Sequence, residues 1–307
     1  MSNNIIVTGG FGFIGRRVAQ SLSARGFNVI GIGRGKWSSS LEQKSWGFNG
    51  WISADLSSQW WLKNQVPLPS SIIHCAGSGS VGLSLKDPSS DFKNNVDALL
   101  NVLEYARLNS PRSKIIFLSS AAVYGDSTSD LILEEDELNP VSPYGVHKKI
   151  AEEICSSYKI FFGLNIFTIR LFSVYGDGLK KQLLWDASNK ISQGDYKFFG
   201  TGKEIRDWVH IDDVTMAINT VLESTTNTHD VFNCGTGVGT SVNEIVKQLF
   251  SCMNICESPS FTGDIKAGDP LAYKASINRL SNLGWAPKVD WVSGVNSYAR
   301  WFKLRND

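Results

Sequence analysis

A chain of 307 residues has room for one large or two modest domains and a sizeable core. Its 42% hydrophobic and 19% charged residues are those of a globular protein, and no apolar stretch reaches membrane-spanning length. A net charge of +1 without a long basic run argues against a nucleic-acid binder, so neither nucleic acid nor membrane is expected as a partner. Cys75, Cys155, Cys234, Cys252 and Cys256 are scattered without metal-type spacing. Free thiols, a cytoplasmic setting and no bound metal are expected.

The first element is a buried strand, Asn4-Ile5-Ile6-Val7, followed by Thr8-Gly9-Gly10-Phe11-Gly12-Phe13-Ile14-Gly15 and a helical period from Arg16 to Leu22. Strand, glycine turn and helix are the setting in which a glycine fingerprint binds a dinucleotide. Gly9 permits the tight turn, and Gly12 lets backbone approach a pyrophosphate. Gly15 lets helix pack on strand, and Phe13 and Ile14, between these glycines, are expected among the cofactor contacts. The second strand, Asn28 to Ile32, ends in Gly33-Arg34-Gly35-Lys36, where an NAD site places an acid for the ribose 2′-hydroxyl. The acid is absent, and the forked cation of Arg34 suits a 2′-phosphate, so NADPH (NADP+) is expected over NAD. The competing reading leaves Arg34 stacked on adenine or in solvent.

A third strand closes at Ser53-Ala54-Asp55-Leu56. Asp55, with Leu56 beside it, meets the adenine or caps the next helix. Trp37, Trp46, Trp51, Trp60 and Trp61 read as packing for a loop-rich region. Ile72-Ile73-His74 is a buried strand with a core histidine. Its small sequel, Cys75-Ala76-Gly77, lets a cofactor lie close to backbone. The loop from Ser78 to Gly82, Val81 included, is expected to line a sugar pocket, and a helix of core-like spacing follows around Asn94 to Leu100.

Lys114 to Leu118 form another strand, with Ser119 and Ser120 at its C-terminal end, where open α/β sheets bind ligands. Ser120 is placed to hydrogen-bond a substrate oxygen; alternatively both serines satisfy backbone there. Ser142-Pro143 then starts a helix, since proline suits a first turn. Tyr144 and Lys148 stand one turn apart on one face. A free phenol has a pKa near ~10. An ammonium beside it is expected to lower that value and give a general acid/base for a carbonyl or an alcohol.

With these residues in hand the chain resembles the extended short-chain dehydrogenases/reductases that act on nucleotide sugars. The likeness rests on Thr8 to Gly15, Asp55-Leu56, His74 to Gly77, Ser119 to Gly125 and Tyr144-x-x-x-Lys148. It continues through Arg170 to Gly176, Arg206 to Asp213, Asn233 to Gly237, Gly268-Asp269-Pro270 and Leu283 to Pro287. The resemblance implies an α/β fold: a doubly wound parallel Rossmann sheet with a smaller C-terminal α/β domain for the sugar nucleotide. The expected division is 1–172 and 173–307, with about 206–236 returning to the first part. By position, Ser120 and Tyr144 contact the sugar oxygen, Lys148 binds the nicotinamide ribose, and Leu171 and Phe172 lie by the nicotinamide. Arg206 meets the diphosphate or pairs with Asp207 or Asp212. Lys266 stands where the family often has Arg, and Ser173 where many members have Asn. Gln182, with Lys180 and Lys181, faces a diphosphate or solvent.

Three reactions compete. Dehydratases that resemble this chain carry Asp-Glu after their serine or threonine; here Ala121 and Ala122 transfer no protons, which sets dehydration and the related decarboxylation aside. The Arg34 signal and the compact length favour NADPH-dependent reduction of a 4-keto-6-deoxy nucleotide sugar. The alternative is a 4-epimerase with tightly bound NAD(P). A homodimer is expected through the segments Asn94–Arg107 and Tyr144–Tyr158.

Overall fold

Along β1 (Asn4–Thr8), Ile5 and Val7 join one buried cluster and Ile6 another, and all three are fully buried. A strand covered on both faces needs helices on both sides, which is the signature of a parallel sheet. The structure, a computed structural model, describes residues 3–58, 66–127, 129–225, 229–264 and 272–306. β1 is joined by β2 (Asn28–Gly33), β3 (Gly50–Ser53), β4 (Ser71–His74), β5 (Lys114–Ser120) and β6 (Asn165–Leu171). β7 (Ser173–Tyr175), β8 (Lys197–Phe198) and β9 (Ile205–His210) lie outside that sheet, and β10 (Val231–Cys234) returns to it beside β6. The seven strands run parallel in the order β10-β6-β5-β4-β1-β2-β3. The order reverses between β1 and β4, so a crevice opens at their carboxyl ends. β11 (Gly239–Ser241) pairs with β9, which also pairs with β7; β12 (Ser260–Phe261) pairs with β8.

The helices are α1 (Phe13–Ala24), α2 (Ser40–Ser45), α3 (Val81–Lys86), α4 (Pro88–Phe92), α5 (Ala98–Asn109) and α6 (Pro143–Phe162). They continue with α7 (Gln182–Ser192), α8 (Ile211–Glu223), α9 (Val242–Met253), α10 (Asn278–Asn282) and α11 (Trp291–Asn306). Val18 and Leu22 of α1 and Val214 and Ile218 of α8 cover the Ile5–Val7 face. Leu99, Val102 and Leu103 of α5, with Ala151 and Cys155 of α6, cover the Ile6 face. Each such aliphatic side chain stabilises the fold by roughly 1.5–3 kcal/mol on burial. A second core joins Leu184 and Ile191 of α7, Ile245 and Leu249 of α9, and Val295, Tyr298 and Phe302 of α11. Among the described residues, no helix is long and apolar enough to cross a membrane.

Two local features depart from or sharpen the sequence reading. The helix expected around Asn94 starts as a π-helical turn over Lys93–Asp97, and only from Ala98 is it α-helical. Single π turns inside helices often mark functional sites, which periodicity does not show. The start of α6 falls where proline predicts it: Ser142 Oγ accepts from the Gly145 amide at 3.1 Å, and Gly163, at φ 68°, ends the helix. Trp37 and Trp51 pack with Phe11 and Phe48, ring centroids 4.7 to 6.3 Å apart. Trp60 and Trp61 lie outside the described residues.

Candidate active site

The turn after β1 leaves no space for side chains. Gly9 has φ +65°, and a Cβ on it would lie 2.6 Å from the Ala76 amide nitrogen. A Cβ on Gly15 would run into the Gly9 carbonyl oxygen. Gly12 is the N-cap of α1, which has no side-chain cap and no acid in its first turn. The amides of Phe13, Ile14 and Gly15 therefore lack a side-chain acceptor, the condition in which a helix start takes a phosphate oxygen. A crevice of about 260 Å³ opens here. Its walls include Gly9, Gly12, Cys75, Ala76 and Gly77, with Arg34, Asp55 and Leu56 from beyond β2 and β3. Phe11, Asn94 and Ala98 line it too. Phe11 sits inside the glycine fingerprint and was open to discovery there; Asn94 arrives through the π turn. Asn95 Oδ1 is buried without a partner, and a Cβ on Gly77 would stand 2.6 Å from it. Open helix amides, glycine walls and a waiting acceptor fit a dinucleotide.

At the adenosine side, Arg34 is 66% exposed and lies 3.7 Å from the Asp55 carboxylate. Asp55 accepts from the Ser57 amide at 3.0 Å and the Ser57 hydroxyl at 2.8 Å, so it closes its own turn. His74 is fully buried, its Nδ1 2.8 Å from Thr8 Oγ1 and its Nε2 without a partner. Burial, with the Lys148 charge, pushes its pKa down to about 3, so the ring stays neutral.

β5 and α6 bring the expected catalytic side chains together. Ser120 Oγ accepts from the Ala122 amide at 3.2 Å and lies near enough to the Tyr144 phenol to oppose the rise in its pKa. Accepting from backbone leaves the serine proton available to an oxygen in the site. Ser119 turns elsewhere: its hydroxyl donates to Glu152 at 2.5 Å, and Arg170 holds the same carboxylate at 2.7 Å. Lys148 is buried, donates to the Leu118 carbonyl at 3.0 Å, and would meet a Cβ on Gly77 at 3.5 Å. Burial lowers its pKa to about 8, against the opposing pull of Asp91 and Glu152. The expected lowering of the Tyr144 pKa by this ammonium does not appear. Burial raises the phenol to about 12; the Ser120 hydroxyl opposes that rise and Asp91 adds to it. The ammonium is tied to a carbonyl, and desolvation of the phenolate dominates.

The remaining expected residues are less gathered. Val81 opens α3 and Ser173 opens β7, both half-buried. Leu171 and Phe172 are buried at the end of β6, and the Phe172 ring packs 6.5 Å from Tyr124 and 6.0 Å from Tyr273. Gln182 opens α7 at φ 67°, a left-handed value that residues other than glycine rarely adopt. Arg206 is buried, donates to the Ile205 carbonyl at 2.8 Å and stacks 5.7 Å over Tyr273. The adjacent Asp207 is occupied by backbone amides of Thr236, Gly237 and Ala275 at 2.6, 2.9 and 3.0 Å. Lys266 and Gly268-Asp269-Pro270 lie outside the described residues.

Comparison with known proteins bears on the chemistry. The UDP-glucose 4-epimerase of Rhizobium meliloti is 28% identical over 99% of this chain and 98% of its own length. The crystal structure of a UDP-glucose 4-epimerase of Thermotoga maritima with UDP-glucose superposes with a TM-score of 0.90 at 27% identity, over 99% of this chain and 100% of that one. A UDP-glucuronic acid 4-epimerase of Bacillus cereus, solved with UDP-glucuronic acid and NAD, gives 0.88 at 25%, over 98% and 99%. These likenesses overturn the expected NADPH-dependent 4-keto reduction. The compact length that favoured a reductase is that of a whole epimerase. The serine, tyrosine and lysine serve either reaction, and an arginine at the adenosine end says nothing about net redox at the sugar. A model of the NAD dependent epimerase/dehydratase family matches residues 5–235, and the chain belongs to that family.

Proposed function

We propose that this protein is a nucleotide-sugar 4-epimerase that keeps its nicotinamide dinucleotide bound through turnover. What carries the reading is full-length likeness to 4-epimerases together with the complete Ser120, Tyr144 and Lys148 set at one strand end. UDP-sugars are the substrate class that the relatives support. The sugar nucleotide lies between the Rossmann part, 1–172 with 206–236, and the part built from 173–307. We also read the enzyme as a cytoplasmic homodimer paired through α5 and α6, where Leu100 and Val146 are exposed.

A bound nicotinamide dinucleotide supplies a hydride acceptor and donor at C4. Tyr144 takes the proton of the sugar 4-hydroxyl and returns it to the same oxygen once the opposite face of the sugar is presented. Ser120 donates to that oxygen and holds it in place. Lys148 holds the nicotinamide ribose, and the Ser120 hydroxyl offsets part of the cost of the phenolate as the proton leaves. Ala121 and Ala122 offer no group to eliminate water from C5 and C6, so the ring substituents other than C4 are left untouched. The hydride removed is the hydride returned, and no reductant is consumed.

The finer reading concerns the cofactor. Arg34 on the crevice wall, with no acid at the end of β2, supports a dinucleotide carrying a 2′-phosphate. Arg34→Asp weakens the 2′-phosphorylated form by about 2 kcal/mol relative to NAD, read by titrating both into cofactor-free protein. An unchanged preference removes Arg34 as a phosphate ligand. The function itself is tested by assaying purified protein with UDP-glucose and UDP-glucuronic acid, without added cofactor, and following the sugar by proton NMR. The 4-epimer accumulates on this reading. Turnover only in step with added NADPH would refute it.

A further inference from the structure

Three side chains outside the described catalytic set, Asp91 and His147 buried and Ser78 half-buried, form a chain beside it. Asp91 of α4 is 3% exposed, and its two carboxylate oxygens have different partners. One accepts from the Ser78 hydroxyl, in the loop after β4. The other accepts from His147 Nδ1 at 2.7 Å, with the Phe92 ring edge-on to the imidazole at 5.3 Å. His147 immediately precedes Lys148 on α6, and Ser78 immediately follows Gly77, where a Cβ would meet the Lys148 ammonium. The order of bonding is Ser–Asp–His. The serine touches the carboxylate and not the imidazole, so this is no nucleophilic triad; its chemistry is that of a tether and a charge.

The charge has a destination. Asp91 and Glu152 are the two carboxylates that act on Lys148. Glu152 already holds the permanent cation of Arg170 at 2.7 Å. Among the described residues, the Asp91 carboxylate hydrogen-bonds a serine and an imidazole and no permanent cation. Cys75 and Cys155, the other titratable groups around the ammonium, are held neutral, burial pushing the Cys75 thiol up to about 12 and Cys155 higher still. His74, on β4, stays neutral as well. Around Tyr144 the corresponding groups are Ser120 and Asp91.

We propose that Asp91 is a positioning residue of this site: its carboxylate ties the Gly77–Ser78 loop to the catalytic helix through His147 and supplies the counter-charge of Lys148. The proposal rests on Tyr144 and Lys148 being the acid/base pair of the proposed epimerase, but its test does not depend on which sugar is turned over. Because the Asp91 charge raises both Tyr144 and Lys148, its removal moves both groups in the same direction. A carboxylate that merely stiffened the loop would lower activity without moving either.

The experiment compares wild type, Asp91→Asn and Ser78→Ala, each with cofactor bound and no sugar present. Phenolate absorbance is titrated against pH, with Tyr144→Phe subtracted to isolate one phenol. In Asp91→Asn the Tyr144 midpoint moves to lower pH by at least half a unit. In Ser78→Ala the charge remains, so the midpoint stays, while cofactor affinity falls about tenfold as the loop loses its tether. A folded Asp91→Asn protein with an unmoved midpoint overturns the counter-charge. If that variant does not fold, Ser78→Ala still decides: unchanged cofactor affinity overturns the tether. A shifted midpoint in a protein that epimerises nothing would sustain this inference and defeat the epimerase reading, so the two failures are separable.

Discussion

At the scale of single residues the site is defined by what burial does to two groups. Tyr144 and Lys148 move in opposite directions, the phenol up to about 12 and the ammonium down to about 8, and both shifts favour the uncharged form. The structure thus stores a protonated phenol, which must give up its proton to solvent before Tyr144 can act as the base, and a cation close to losing its charge. Asp91 and Glu152 keep that cation in place. Tyr144→Phe removes the proton carrier and keeps the ring. Turnover falls by on the order of 100-fold to 10,000-fold, while cofactor binding changes little, measured by steady-state epimerisation and cofactor titration. A folded variant with most of its turnover intact means that another group carries the proton. Spacing at i and i+4 put this pair on one helix face, and the motifs around it, not the spacing alone, singled it out from an ordinary surface pair. It did not find the direction of the Tyr144 shift, because desolvation depends on what covers the phenol. Nor did it find Asp91 and His147, which meet across 56 positions of chain.

At the scale of elements, the seat of α6 sets the distance between the catalytic side chains and β5. A Cβ on Gly145 would collide with the Ala122 carbonyl oxygen, a backbone atom that cannot rotate away. In an open helix Gly→Ala stabilises by up to about 1 kcal/mol. Here Gly145→Ala destabilises by roughly 1–3 kcal/mol and lowers turnover, since the helix must lift from Ser120. Chemical denaturation and kinetics of that variant check both effects; a stabilised, fully active protein contradicts the packing described. β4 carries a pH dependence of its own. The His74 pKa is about 3 in the folded chain against 6.5 as its ordinary value, so the unfolded state takes the proton first. Stability from this residue is complete above pH 6.5 and is lost as pH falls towards 3, at up to about 1.4 kcal/mol per pH unit. His74→Asn flattens that part of the stability curve, measured by melting between pH 7 and pH 4. Elements with strong punctuation were legible: α1 from its glycines, and α6 from Ser142-Pro143. The π turn before α5 was not, because its irregularity lies in which carbonyl each amide finds.

At the scale of the whole molecule, a parallel sheet with one reversal of strand order makes a crevice, and the chain returns to the sheet at β10 partway through the second core, with α7 before it and α9 and α11 after. Phe13 packs against both cores, so the helix that opens at the crevice also touches the C-terminal part. The doubly wound plan came from the family resemblance of the ordered motifs, while the separate strand runs and the glycine turn were legible because each is local. The reaction was not. Reduction and epimerisation at C4 ask for the same oxygen contacts and the same proton carrier, and they differ only in whether hydride returns to the carbon it left. That difference leaves no mark on Ser120, Tyr144 or Lys148. The measurement that tests it most directly uses a UDP-sugar deuterated at C4, incubated with the enzyme in the presence of excess unlabelled reduced cofactor. The account predicts a 4-epimer that keeps its deuterium at C4. Loss of the label to the cofactor pool, or no epimer at all, would contradict it.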